Sequence, residues 1–279
     1  MDTMETAPPM KAMRVLQIIG KGITLWRHEF LSFSAIYLVI GIPITLLSLP
    51  LLRLPQTTSA FPMGLFLYIV IFILGAWCNI AFITAALQAA NGDRVQVLQN
   101  LKRAWYYFLR YVGVVMLTYL LFIAILLLMV LGIILLGVTA AFLYAKLQGA
   151  ALIISKMIGL SAIAALVVIG IYYLVYFSIR LSLDIYVCVL EDKGPVRSLK
   201  RSFFLVKNNV NPVIGVFFAL FLGLGILYLP SIPFYFAAKD SQQLNIVIAI
   251  LQFAAGLIAT PIYNTALVSL YQQLNNLSA

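Results

Sequence analysis

From Tyr111 to Ala145 the chain runs 35 residues without a single charged side chain. At 1.5 Å per residue a helix of that length measures about 52 Å, against a bilayer hydrocarbon core of about 30 Å. Apolar runs of crossing length recur at 31–52, 63–90, 111–132, 165–190, 212–236 and 244–271. Inside lipid there is no water to satisfy backbone N–H and C=O groups, so runs of this length must close their hydrogen bonds within themselves, as helices. The expected fold is all-α: a polytopic integral membrane protein with six transmembrane helices in a single membrane domain spanning 1–279. Only 9% of residues are charged, and most of those fall between the runs.

Lysine and arginine set the orientation. Lys11, Arg14, Lys21 and Arg27 precede the first run, Arg94, Lys102, Arg103 and Arg110 follow the second, and Arg180, Lys193, Arg197, Lys200, Arg201 and Lys207 surround the exit of the fourth. Those are fourteen of the eighteen cations; Arg53, Lys146, Lys156 and Lys239 fall on the other side. The positive-inside bias then places both termini in the cytoplasm. This use of the cations accounts for the net charge of +10 without nucleic acid. The first thirty residues lack the continuous apolar core and small-residue cleavage site of a signal peptide, so a retained N-terminus is expected.

A basic hexapeptide is written twice. Asn100 to Trp105 reads NLKRAW and Ser198 to Phe203 reads SLKRSF, each after a glycine-containing turn and each leading into a crossing. Leucine and aromatic side chains can sink into the acyl boundary while Lys102, Arg103, Lys200 and Arg201 face head groups, the arrangement of a helix lying in the membrane plane. The N-terminus carries a third copy: setting Lys21 on Arg103 and Arg201 puts Ile19 on Leu101 and Leu199, Arg27 on Lys207, and Pro50 on Gly132 and Pro230. The pattern predicts three pseudo-repeats, each an interfacial amphipathic helix followed by a transmembrane hairpin, over 11–90, 91–192 and 193–279. The long uncharged stretch is reconciled with this scheme if the third crossing ends or bends at Gly132, leaving 133–164 as an outer-side insertion that packs on itself or on neighbouring hairpins.

The segment Glu191-Asp192-Lys193-Gly194-Pro195-Val196-Arg197-Ser198-Leu199-Lys200-Arg201-Ser202-Phe203, with Arg180-Leu-Ser-Leu shortly upstream, resembles bacterial six-helix proteins related to the membrane domain of glycerophosphodiester phosphodiesterases and to the YciC-like inner-membrane proteins. The resemblance implies a six-helix fold in the bacterial cytoplasmic (inner) membrane. In the enzymes of that family the chemistry belongs to a separate soluble barrel with His and acidic residues, for which these 279 residues leave no room. Asp184 departs from the apolar residue that the family pattern implies at its position.

Little in the sequence points to catalysis. There are eight carboxylates and one histidine, His28, beside Arg27 and Glu29 with no second His or Cys nearby. Triads and metal sites need several converging partners, so no metal and no cofactor is expected. Cys78 and Cys188 lie within apolar runs and read as small hydrophobes. Gly20-Lys21-Gly22 and Gly223-Leu224-Gly225 lack a strand-loop-helix context and read as points of close helix approach.

The candidate intramembrane polar site is Arg180, Asp184, Asn79 and Asn264. Arg180 and Asp184 are four apart, which would stack them on one helical face, and a charge at mid-bilayer costs about 2.5–3.5 kcal/mol. They read either as a structural ion pair or as part of a substrate or proton path. Asn79, Thr84, Gln88, Gln252, Asn264 and Thr265 form a second polar set on the expected second helices of repeats one and three. The candidate lipid head-group residues are Lys21, Arg27, Lys102, Arg103, Lys200 and Arg201. Two functions fit: a non-catalytic membrane scaffold or accessory protein that associates with anionic phospholipid, a membrane protein partner, or both; or a transporter or permease for a small or lipidic substrate, its repeats broken at Pro50 and Pro230.

Overall fold

The computed structural model describes residues 15–51, 61–145, 147–148, 150–237 and 242–278. Among the described residues every regular element is helical: α1 (Val15–His28), α2 (Phe30–Leu51), α3 (Phe61–Ala90), α4 (Val97–Tyr144), α5 (Ala150–Arg180), α6 (Asp184–Leu190), α7 (Pro195–Lys207), α8 (Val210–Gly225), α9 (Ile232–Ala237) and α10 (Gln242–Ser278), with a 3-10 turn at Ile226–Ser231. Among the described residues six stretches are long and apolar enough to cross a membrane: Phe30–Ser48, Phe61–Ala90, Val97–Phe142, Ala151–Leu190, Val210–Ala237 and Gln243–Asn276. This is the architecture of a multi-pass membrane protein. Lys11, Arg14, Arg53, Lys146 and Lys239, used above for orientation and for the insertion, lie outside the described residues.

Two of the three hexapeptide copies form amphipathic helices of their own. In α7, Pro195 occupies the first turn, where its missing N–H is no loss, and Ser198, Ser202, Leu205 and Val206 turn inward while Arg197 and Lys200 stay exposed. The helix stops at Asn208-Asn209, Asn209 standing at the start of α8. In α1, Ile18 and Gly22 are buried and Leu16 and Lys21 are exposed. The NLKRAW copy differs: it lies in the first turns of α4, which continues uninterrupted for 48 residues. Where α7 ends in two asparagines, which readily leave the helical conformation, α4 has Arg110 and Tyr111, which do not. Gly113, the following glycine, lets Pro195 approach to a position 2.8 Å from where a Cβ would stand.

The expected break at Gly132 is absent. Proline and glycine are unequal as breakers, at about 3 and 1 kcal/mol. The helix gives way to a 3-10 turn around Pro230, whereas α4 passes through Gly132 unbroken; residues 52–60, which follow Pro50 closely, lie outside the described residues. The missing side chain serves packing instead, since a Cβ at Gly132 would sit 3.1 Å from the Leu166 side chain on α5. Residues 133–144 and 150–164 thus prolong α4 and α5, with Tyr144 Oη donating to the Ser155 carbonyl (3.3 Å).

The fourth crossing, expected as one helix over 165–190, is broken at Leu181–Leu183. Ser182 donates to the Ile179 carbonyl (2.7 Å), a local bond that competes with the helical one. Ser202 of α7 stitches the gap, donating to the Arg180 carbonyl (2.9 Å) and accepting from the Leu183 N–H (3.3 Å). Packing is concentrated at this end of the bundle. Phe33 stacks on Phe82 at 6.2 Å, and Ile18, Ile83, Leu183, Leu205 and Leu270 are fully buried, while much of the distal α4–α5 hairpin is exposed. Of the glycine pairs, Gly22 is a close approach, but Gly20, Gly223 and Gly225 have no side chain or backbone within 4 Å of a built Cβ. The expectation of close helix contact therefore fails at those three.

Candidate functional site

The basic residues divide by exposure. Lys21 and Arg27 of α1, Lys102 and Arg103 at the start of α4, and Lys200 of α7 are all exposed. They stand beside exposed apolar residues on the same helices, among them Leu16, Leu98, Trp105, Leu109 and Val196. Arg201 stands apart from them. Its Nε donates to Glu191 Oε1 (3.3 Å) and its Nη2 to Asn275 Oδ1 (2.7 Å), while the Tyr271 hydroxyl donates to the same Glu191 oxygen (2.8 Å) and Lys193 pairs with Oε2. Burial raises the Glu191 pKa, but the hydrogen bonds from Lys193 and Tyr271 and the charge of Arg201 outweigh it, so the carboxyl titrates below its ordinary range. A second ion pair, Arg110 with Asp192, ties α4 to the same loop.

This cluster left no mark in the sequence, because Glu191 and Asp192 read as part of a turn. The available signal was the pairing of two of only eight carboxylates with a strongly basic segment.

Arg180 and Asp184 do not stack, because the helix breaks between them. Asp184 opens α6, where Oδ2 accepts from Thr118 Oγ1 (2.7 Å) and Oδ1 from the Ile185 N–H (2.6 Å). Asn79 donates to the Tyr111 hydroxyl (3.3 Å), and the Tyr186 hydroxyl donates to Asn264 Oδ1 (3.1 Å). Tyr111 and Thr118 are two turns apart on α4, so these three bonds form one seam joining α3, α4, α6 and α10. Bonds of this kind contribute about 0.6 kcal/mol each. The other polar residues bond nearby: Thr84 to its own helix, Gln88 to Asn100 (2.8 Å), Gln252 to Tyr235, and Thr265 to the Gly22 carbonyl (2.9 Å).

Arg180 lies elsewhere. Its guanidinium carbon is 4.7 Å from the Tyr176 ring centre and 4.5 Å from that of Phe203 on α7. Nε and Nη1 are buried with no hydrogen-bond acceptor in reach.

His28 pairs with Glu29 at 3.5 Å, and Cys78 and Cys188 are buried free thiols. Among the described residues no three His, Cys, Asp or Glu side chains converge. The chain matches no protein-family model, no curated protein and no solved structure.

Proposed function

We propose that this protein is a non-catalytic scaffold or accessory protein of the bacterial inner membrane, holding anionic phospholipid, and with it a membrane protein partner, on the basic face at one end of its bundle. The supporting observation is the set of five exposed cations, Lys21, Arg27, Lys102, Arg103 and Lys200, on helical segments that also present apolar side chains outward. Each cation near an anionic surface contributes about 1 kcal/mol. In this reading α1, the start of α4 and α7 are equivalent interfacial segments of three pseudo-repeats, both termini are cytoplasmic, and the charges serve topology and lipid capture together. The partners of Glu191, Asp192 and Asp184 within the fold support a structural reading of these three carboxylates.

Replacing Lys21, Arg27, Lys102 and Arg103 together with glutamine tests the reading. The anionic phospholipid that copurifies per protein is expected to fall several-fold. Unchanged lipid content would leave these residues with topology alone.

A further inference from the structure

An apolar cleft of about 320 Å3 runs between α4 and α5, lined by Met129 from α4 and by Leu166, Ile169, Gly170, Tyr173 and Phe177 from α5. Its line continues to Arg180. Leu166, Tyr173 and Arg180 are spaced by sevens, and an α-helix drifts only about 20° per heptad, so all three share a face. Phe177 packs on Phe203 (6.4 Å between ring centres), the ring that the Arg180 guanidinium also faces.

Depth fits the same picture. Arg180 ends α5 at the level of the amphipathic helix α7, to which Ser202 ties it. At 1.5 Å per residue Leu166 lies about 21 Å further along α5. One leaflet, half of the roughly 30 Å hydrocarbon core, is about 15 Å deep, so the cleft spans the depth that an acyl chain occupies.

The guanidinium is poorly provided for by the protein. Two aromatic rings cover it, yet Nε and Nη1 have no acceptor. A buried donor without a partner costs about 1–3 kcal/mol, more when charged, which an acceptor supplied from outside the chain would recover. Lys200 and Lys207 stand one turn before and after Phe203 on α7 and are exposed.

Resting on the lipid-binding reading above, we infer that the cleft and Arg180 form a site for one glycerophospholipid, its phosphate diester on the Arg180 guanidinium and an acyl chain between α4 and α5. The phosphate meets the outer edge of the guanidinium first, and rotation of the side chain brings the buried donors to it. Arginine suits this task because its fork pairs phosphate oxygens two at a time.

Native mass spectrometry of the detergent-purified full chain tests the site. Phosphatidylglycerol is titrated in parallel with a diacylglycerol bearing the same chains, and inorganic phosphate is added as competitor. One phosphatidylglycerol is expected to bind in preference to diacylglycerol, without displacement by inorganic phosphate. Arg180→Gln should weaken it by about tenfold or more, as loss of a charged hydrogen bond does. Ile169→Trp, at an exposed cleft position, should block it without disturbing the core.

Equal binding by the wild type and both variants overturns the proposal, as do equal binding of the two lipids and displacement by inorganic phosphate. The fourfold glutamine variant separates the two readings. If it keeps the single lipid while losing bulk anionic lipid, both stand; if Arg180→Gln changes nothing while the fourfold variant loses bulk lipid, only the Arg180 site fails.

Discussion

Gly22→Val in α1 is expected to destabilise the purified protein by about 1–3 kcal/mol or more, whereas Gly20→Ala, two residues earlier, is expected to stabilise it by about 0.5–1 kcal/mol. The opposite signs come from the two faces of one helix. A Cβ at Gly22 would stand 2.8 Å from the Cα and from the N of Ala266, and backbone cannot step aside as a flexible side chain does. The same crossing carries the bond from Thr265 to the Gly22 carbonyl, which parting the helices would break. Gly20 has open space around it and contributes only the entropy of an unnecessary glycine. Thermal unfolding of the two variants in one detergent measures both shifts. Equal shifts would mean that α1 is not seated on α10.

Glu191→Leu is expected to destabilise by about 1–3 kcal/mol, less than the 3–5 kcal/mol typical of breaking a fully buried pair. The discount reflects partial exposure, 16% for the Glu191 side chain and 25% for Arg201. Removing the carboxylate leaves Lys193, Arg201 and the Tyr271 hydroxyl without their common acceptor, and with it the link between the loop after α6, α7 and α10. The pH dependence has a definite sign. The Glu191 pKa is lower in the fold than in the unfolded chain, so its contribution is complete above the ordinary carboxylate value of about 4.3 and is lost as pH falls through the depressed one. Melting temperatures followed from pH 7 to pH 3 should therefore fall more steeply below about pH 4 for the wild type than for Glu191→Gln. Parallel curves would contradict a stabilising ionised Glu191.

Much of the fold was legible because lipid leaves a long apolar segment only one way to satisfy its backbone. The six helical stretches follow from that alone, and α7 from the glycine-containing turn and the basic hexapeptide SLKRSF that follows it. Breaks were less legible, since they depend on which partner is at hand. Gly132 resembled Pro230 by position, but it retains its N–H and the helix ran on. Ser182 carried no mark of a break, which needed a hydroxyl from Ser202, twenty residues later, to cap the exposed groups. The stacking of Arg180 on Asp184 fails for the same reason. Arg180 and Asp184 are correctly spaced for a pair on an intact helix, and the break sends one to aromatic rings on α7 and the other to Thr118 on α4. Arg201 read like Lys200, its neighbour, because sequence does not show that Glu191 and Asn275 lie beside it.

Placing the basic end of the bundle in the cytoplasm underlies the whole account, and single-cysteine labelling in intact cells tests it most directly. Lys102 and Lys200 are exposed, so their reactivity reports the side of the membrane more than burial, and the native Cys78 and Cys188 are buried. Lys102→Cys and Lys200→Cys should resist a membrane-impermeant thiol reagent until the cells are permeabilised, while Lys239→Cys, between α9 and α10, should react at once. Labelling of Lys200→Cys from outside intact cells would contradict the orientation and the lipid-binding role built on it.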